Sequence, residues 1–200
     1  EQVKREDEEN VLVSVLKNWR QGLRVIFICA GLTTSYYIWG VMMPAIAKTS
    51  FGFDAKSAFE ASIIGNLFLI VALPLWGLLS DKLGRRPLAL VAVVGSAAVY
   101  YPALIYVSRG SFFALAAGIS VQLVLLAAIL SQLPAMFAEM FETEQRTTGF
   151  GIYYSIAIAC FGGTAGYLFT LIGNPYVFGA YTVFLLCISG LVVWFMPETV

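Results

Sequence analysis

Long uncharged apolar runs constrain this chain more than any other feature of its sequence. Residues 61–79 and residues 88–107 contain no charged residue, and a short charged turn lies between them. An apolar helix of about 20 residues is long enough to cross the roughly 30 Å hydrocarbon core of a bilayer. The sequence therefore predicts an all-α membrane protein in which this turn joins two spans.

The overall composition supports the same class. Hydrophobic residues make up 60% of the 200 residues and charged residues only 12%, whereas a soluble domain carries roughly 25% charged residues. The formal net charge is zero, so nothing indicates a nucleic-acid partner. Cys29, Cys160 and Cys187 all lie in apolar runs and there is no histidine. We therefore predict no disulfide framework, no metal and no cofactor.

Six apolar segments separated by short connectors indicate one six-span bundle over residues 22–200 without a soluble domain. The predicted spans are 22–47, 58–79, 87–107, 111–137, 149–172 and 177–196. Residues 1–21 are predicted to be a cytoplasmic linker that ends in an amphipathic surface helix, because Val11, Val15, Leu16 and Trp19 follow a helical spacing. An early start of the first span is the alternative interpretation of residues 11–21.

The distribution of Lys and Arg predicts the orientation. With the N-terminus inside, the cytoplasmic segments hold nine of them: Lys4, Arg5, Lys17, Arg20, Arg24, Lys82, Arg85, Arg86 and Arg146. The outer segments hold three: Lys48, Lys56 and Arg109. Basic residues favour the cytoplasmic side, so both termini are predicted to lie inside a cell membrane.

Polar residues are unevenly shared among the spans. The third and sixth spans are apolar almost all round and are predicted to face lipid, while the other four carry the polar side chains. This pattern favours a three-plus-three arrangement of the kind found in inverted-repeat transporters. The predicted substrate-cavity residues are Tyr36, Tyr37, Asn66, Gln122, Tyr153 and Tyr154. The competing interpretations are that the amides join neighbouring helices and that the tyrosines belong to an interfacial belt.

Ionisable residues are missing from the middle of every predicted span. Proton coupling normally uses an ionisable group within the membrane. Glu60, at the outer mouth of the second span, is the nearest candidate for a proton site.

The charged turn resembles the signature loop of the major facilitator superfamily. Its matching positions are Gly77, Asp81, Lys82, Gly84, Arg85 and Arg86. The resemblance places Asp81 near the start of the next helix, where the helix dipole favours an anion. The segment 134–149, the Gly-Gly pair at 162–163 and the final Pro-Glu-Thr at 197–199 look like the metabolite:proton symporter family within that superfamily. Sugar porters share the turn and the ending, so a sugar porter-like transporter stays an alternative.

This resemblance implies one half of a twelve-helix fold, the C-terminal six-helix half, with the other half as its partner. The absence of a Met at residue 1 supports the expectation of a fragment. The implied function is alternating-access transport of a small polar metabolite, an organic acid or a betaine-like or amino-acid-like compound, coupled to protons. A six-span scaffold or dimer without transport is the other class. Enzyme motifs such as HExxH and GxSxG are absent from the sequence, so we predict no enzyme.

Charges at the cytoplasmic ends of the spans suggest an inner gate. The predicted members are Asp81, Arg85, Glu139, Arg146 and Glu198. They would pair in one conformation and separate in the other, which biases the equilibrium only by the difference between the two states. The alternative is that each charge acts alone as a topology signal.

Overall fold

The computed structural model of the chain describes residues 19–140 and 146–196, with the backbone alone for residues 146–150. Six helices in this part are long and apolar enough to cross a membrane. They are Trp19–Phe51, Ala55–Leu83, Arg85–Val107, Phe112–Met140, Gly151–Ile172 and Pro175–Trp194, numbered here as the first to sixth spans. The prediction of an all-α fold with six spans is confirmed.

The ends of the spans differ from the predicted ones by a few residues. The first and second spans are longer than predicted at both ends, because the polar residues that flank their apolar centres continue the helix. Residues 19–21, the end of the predicted surface helix, are continuous with the first span. The rest of that predicted helix and the linker lie outside the described residues.

Three of the spans are irregular along their length. The first consists of the α-helices Trp19–Tyr36 and Met43–Phe51, joined by the π-helix Tyr37–Met42. The fifth contains a second π-helix, Ile158–Gly163, between the α-helices Arg146–Ala157 and Ala165–Ile172. The fourth is interrupted by a turn between Phe112–Leu130 and Leu133–Met140. Such irregularities inside long helices frequently mark functional sites.

Short connectors hold the ends of neighbouring spans together. Gly84 is the only residue between the second and third spans, and its φ of +90° belongs to the region that favours glycine. Asp54 caps the second span by accepting a 2.9 Å hydrogen bond from the backbone N–H of Ser57. This bond holds the pKa of the Asp54 carboxyl below its usual range.

The first and fourth spans form the centre of the bundle. In the most apolar 18-residue stretch of each, 56% and 61% of the residues are buried, more than in any of the other four spans. The fourth packs against the second and third, and the first packs against the fifth and sixth. A Cβ on Gly31 would lie 2.6 Å from the backbone nitrogen of Leu186, so the first and sixth spans touch backbone to backbone. Small residues permit such close contacts between membrane helices.

The third and sixth spans, which are predicted to face lipid, pack against each other along one face and leave other faces uncovered. Tyr100 of the third span and Phe178 of the sixth are almost fully buried. The second and fifth spans are the most exposed. Only 22% and 17% of the residues in their most apolar 18-residue stretches are buried. Lipid tails are as apolar as a protein core, so an apolar sequence does not distinguish a packed face from a lipid-exposed one.

Candidate functional site

A cavity of about 220 Å³ lies between the first, fourth and fifth spans. Its lining residues are Leu32, Thr33, Tyr36, Tyr37, Leu130, Leu133, Tyr154 and Ile158. Three of the predicted cavity tyrosines, at positions 36, 37 and 154, therefore meet here. We call this space the tyrosine cavity.

The change from α-helix to π-helix in the first span positions two of these tyrosines. Tyr36 is the last residue of the α-helix and Tyr37 the first of the π-helix. Their ring centroids are 6.3 Å apart and the ring planes are nearly perpendicular, at 86°. Tyr154 and Ile158 of the fifth span are four residues apart, which places both on one helix face toward the cavity.

The second π-helix presses against the first span beside the cavity. A Cβ on Gly162 would lie 2.6 Å from Cε2 of Tyr37 and 2.7 Å from Cγ2 of Thr33. The hydroxyl of Thr34 donates a 2.8 Å bond to the carbonyl of Ala30 and lies 3.4 Å from the carbonyl of Phe161. Glycine at position 162 thus allows the contact that holds the Tyr37 ring in place.

Asn66 lies at a different place from the tyrosines. It lines an open groove of about 460 Å³ between the first and second spans, together with Ser62, Gly40 and Pro44. Its Nδ2 donates to the carbonyl of Gly40 at 3.3 Å and to that of Ser62 at 2.9 Å. In an α-helix the Gly40 carbonyl would accept from the N–H of residue 44, which is a proline without an N–H. Gly40 lies in the π-helix Tyr37–Met42, and the side chain of Asn66 gives its carbonyl a donor in place of the α-helical one that Pro44 cannot supply.

Gln122 and Tyr153 do not line either of these spaces. Gln122 is fully buried, and its Nε2 donates to the carbonyl of Ser96 in the third span at 3.1 Å. Its predicted depth in the membrane does not bring it to the cavity, because its helix face turns toward the third span. Tyr153 is buried against Gly22 at the start of the first span. The packing interpretation fits Gln122, and Tyr153 is a contact between the first and fifth spans.

Two of the five predicted gate charges form an ion pair. Arg85, the first residue of the third span, pairs with Glu139 near the end of the fourth. The two side chains are 23% and 31% exposed, so the pair is partly shielded from water. The side chain of Arg146 and the whole of Glu198 lie outside the described residues.

Among the remaining signature-loop residues, Asp81 departs from its expected place, and the others differ in their contacts. Asp81 is exposed in the last turn of the second span, and not at the start of the next helix, because Gly84 ends one helix before Arg85 begins the other. Arg86 bonds the backbone carbonyl of Trp194, and its guanidinium lies 5.8 Å from the centroid of that ring. Gly77 has open space where a Cβ would stand, so no close helix contact explains it within this part of the chain. Lys82 is exposed.

Glu60 is an exposed surface residue. Its carboxylate lies 3.9 Å from the ammonium of Lys56, one turn earlier on the same helix, and the two side chains are 52% and 83% exposed. An exposed pair of this kind differs from the buried carboxyl that a proton site within the membrane requires. Among the described residues, no group of three or more His, Cys, Asp or Glu side chains could hold a metal ion.

The sequence comparisons agree with this architecture. The family model of the Major Facilitator Superfamily matches residues 5–200. The chain belongs to the major facilitator superfamily. It is therefore a multi-pass membrane protein of a transporter superfamily, and its expected surroundings are a lipid bilayer.

Several curated transporters share this region of the superfamily fold. The chain is 29% identical to an ectoine/proline transporter of Corynebacterium glutamicum, over 94% of the chain and 38% of the relative. It is 26% identical to a citrate-proton symporter of Klebsiella pneumoniae, over 76% of the chain and 35% of the relative. It is 27% identical to an alpha-ketoglutarate permease of Escherichia coli, over 80% and 38%. The chain thus spans little more than a third of the length of these relatives.

Sequence reasoning missed several polar contacts of this superfamily member. Ser80 and Gln132 form a buried 2.6 Å hydrogen bond between the second and fourth spans. Nε1 of Trp76 donates a 2.8 Å bond to the carbonyl of Val124 between the same spans. Ser80 stands immediately before Asp81 of the signature loop, so the polar residues at the end of the second span could have indicated a bond to a neighbouring span. These bonds join the spans whose ends carry the predicted gate.

Proposed function

We propose that this chain is the C-terminal six-helix half of a secondary transporter that moves a small polar metabolite together with protons by alternating access. The observation that carries the proposal is the tyrosine cavity, which three separate spans form beside two π-helices. Substrate sites of such transporters lie between bundles and are built from discontinuous helices. Phenol and threonine hydroxyls in the cavity suit a polar solute, while the leucines around them exclude water.

The second half of the transporter is part of the proposal. The second and fifth spans leave large apolar side chains uncovered, among them Phe59, Leu67, Leu75 and Tyr167. A partner bundle that covers these faces would turn the tyrosine cavity and the Asn66 groove into parts of one enclosed passage. The pair of Arg85 and Glu139 would then act as a latch that is closed in one state and open in the other.

The substrate class and the coupling to protons are proposed from the names of the relatives. The names of the relatives include ectoine, proline, citrate and alpha-ketoglutarate, all of which are small and carry a carboxylate. Two relatives are named citrate-proton symporters. Within the part of this chain that the structure describes, charged residues stand near the ends of spans or in loops, so we assign the titrating group to the partner bundle.

Uptake by an assembled pair of bundles tests the proposal. The chain would be co-expressed with the N-terminal bundle of the Corynebacterium relative, and that relative divided at the same point would be the positive control. We expect uptake of labelled proline, ectoine or an organic acid that falls when the proton gradient is collapsed. No uptake from a pair that is inserted and associated, while the divided relative transports, would contradict the proposal.

The proposed orientation has its own test. Cysteines introduced singly in place of Lys82 and Arg109, with the native cysteines replaced by serine, would be labelled in intact cells with a reagent that does not cross membranes. We expect labelling at position 109 alone, because basic loops stay inside. Labelling at position 82 alone would reverse the proposed orientation.

A further inference from the structure

We propose that a groove between the third and sixth spans binds an anionic phospholipid, with an acyl chain in the groove and the phosphate on Arg86. The groove has a volume of about 570 Å³, and it shares no lining residue with the tyrosine cavity or with the Asn66 groove. Residues 90–98 and 186–194 bound it, and we call it the lipid groove. Lipid binding at this place does not depend on the proposed transport function.

The lipid groove has the length of one leaflet of the bilayer. The third span contributes positions 90, 93, 94, 97 and 98, which share one face of an α-helix. The eight steps from 90 to 98 correspond to about 12 Å of helix, and half of the hydrocarbon core is about 15 Å thick. An acyl chain that lies along the groove would therefore stay in contact with it over most of a leaflet.

Small residues deepen the lipid groove and large apolar residues form its sides. Ala97, Ala98 and Gly190 are among the lining residues, and a Cβ on Gly190 would lie 3.4 Å from Cγ1 of Val93. A longer side chain at position 190 would thus narrow the groove. Leu191 is 61% exposed at its edge. A hydrocarbon chain between these side chains gains dispersion contacts that a flat helix surface would not offer.

Aromatic and basic side chains mark one end of the lipid groove. Trp194, the last residue of the sixth span, is 59% exposed, and tryptophan prefers the level of the lipid headgroups. The guanidinium of Arg86 lies 5.8 Å from the centroid of the Trp194 ring and donates to the Trp194 carbonyl. Leu90, where the groove begins on the third span, is one helical turn from Arg86. The groove therefore opens at headgroup level beside a positioned cation.

Arg86 has donors left for a phosphate. A guanidinium carries five N–H groups, and the Trp194 carbonyl accepts from one nitrogen of Arg86. The ion pairs found within the described residues engage Arg85 and Lys56, and not Arg86. Arginine binds phosphate through two parallel hydrogen bonds, and the dipole at the start of the third span also favours an anion.

The local charge favours an anionic lipid over a second copy of the chain. The turn 81–86 contains one acidic and three basic residues. Two copies in one membrane have the same orientation, so a symmetric contact along this groove would bring the same basic turns together. Like charges that meet at an interface oppose association. An anionic headgroup would instead complement the turn, and basic pockets between spans are known to bind such headgroups.

Substitutions separate the headgroup contact from the acyl-chain contact. Arg86→Gln removes the charge and Arg86→Lys keeps it. Arg109→Gln is the matched control, because Arg109 lies beyond the opposite end of the third span with its guanidinium 5.5 Å from the ring centroid of Tyr106. Ala98→Leu fills the groove from an exposed position, and Ala180→Leu is its control at an exposed position of the sixth span outside the groove.

The first measurement is native mass spectrometry of the whole chain in detergent with equal amounts of phosphatidylglycerol and phosphatidylcholine that have the same acyl chains. We expect the native chain to prefer phosphatidylglycerol about fivefold. Arg86→Gln should abolish this preference, while Arg86→Lys and Arg109→Gln should keep it. Ala98→Leu should weaken the binding of both lipids about threefold, and Ala180→Leu should leave it unchanged.

The two exposed native cysteines show where the lipid binds. Cys187 lines the lipid groove, Cys160 lies on the fifth span outside it, and Cys29 is buried. The variants Cys160→Ser and Cys187→Ser each leave one exposed thiol for reaction with an uncharged maleimide. Phosphatidylglycerol should slow the reaction of Cys187 in proportion to the fraction of the chain that carries lipid, and should leave that of Cys160 unchanged.

Several outcomes would overturn the proposal. Equal binding of the two lipids by the native chain is one, and an undiminished preference in folded Arg86→Gln is another. Equal protection of Cys187 and Cys160 would place the lipid elsewhere. A dimer that protects Cys187 with no lipid bound would show that a second copy covers the groove. If Arg86→Gln does not fold, the native preference, Ala98→Leu and the protection of Cys187 still decide, and none of these results bears on transport.

Discussion

The bond between Asn66 and the Gly40 carbonyl gives the most specific prediction about stability. Substitution Asn66→Leu keeps a side chain of similar size and removes the donor that compensates for Pro44. The carbonyl of Gly40 would then be left without this partner in a partly buried site. Hydrogen bonds between membrane helices contribute about 0.6 kcal/mol on average and at most about 1.7 kcal/mol. The 3.3 Å distance between Asn66 Nδ2 and the Gly40 oxygen is slightly longer than the usual range of about 2.7–3.2 Å for N–H···O bonds.

We therefore expect Asn66→Leu to lower the free energy of unfolding by about 0.6 kcal/mol, roughly a threefold change in the unfolding equilibrium constant. The assay is reversible unfolding of the purified chain in mixed micelles by titration with a denaturing detergent. Leu67→Ala, at an exposed position on the same helix, is a control for a side-chain change that removes no hydrogen bond.

A double-mutant cycle decides whether the proline is the reason for the bond. Pro44→Ala restores a backbone N–H that can donate to the Gly40 carbonyl, so the cost of Asn66→Leu should fall by at least half in that background. Contacting residues show such non-additivity, whereas independent sites do not. Equal costs of Asn66→Leu in the native chain and in the Pro44→Ala background would refute this explanation of the bond.

Three further changes have expected outcomes. Gly31→Ala should destabilise the chain by about 1–3 kcal/mol, because the added methyl meets the backbone of the sixth span, whereas Gly77→Ala should be tolerated in the same unfolding assay. Glu139→Gln should lower the free energy of unfolding by about 1 kcal/mol, since it leaves Arg85 without its ion-pair partner. If neither the stability nor the accessibility of cysteines at the inner end changes, the pair is not part of the gate. Asp54 has a lowered pKa in the folded state, so its contribution to stability is complete above the ordinary carboxyl pKa and is lost as the pH falls through the pKa of the folded state. Asp54→Asn should therefore reduce the dependence of stability on pH at acidic pH. An unchanged dependence would refute the role of the cap.

The spans and their order could be predicted from the sequence, because bilayer thickness fixes the length of an apolar helix. Which face of each span packs inward could not. Gln122 was predicted to line the cavity because of its depth in the membrane, but its side chain bonds Ser96 of the third span. Successive residues of an α-helix point in directions about 100° apart, so the depth of a residue does not determine which face it occupies. The face along which the third and sixth spans pack could not be predicted for the same reason, since apolar residues serve equally well against lipid and against another helix.

The cavity was predictable only in part. Tyr36, Tyr37 and Tyr154 were identified from residue type, and the structure brings them together. The π-helices that position them have no clear sequence pattern of their own. Pro44 and Gly162 stand next to or within them, but the same residue types elsewhere behave differently: Pro74 and Pro102 lie inside uninterrupted α-helices. Proline and glycine alone therefore do not predict where a helix widens.

The single-residue junction at Gly84 has a mechanical consequence. Three residues separate the first span from the second and four separate the third from the fourth, so those pairs can tilt with some independence. The second and third spans share one hinge point, and any tilt of one displaces the first turn of the other. Arg85 stands at this point, so a tilt of either helix would move the charge that meets Glu139.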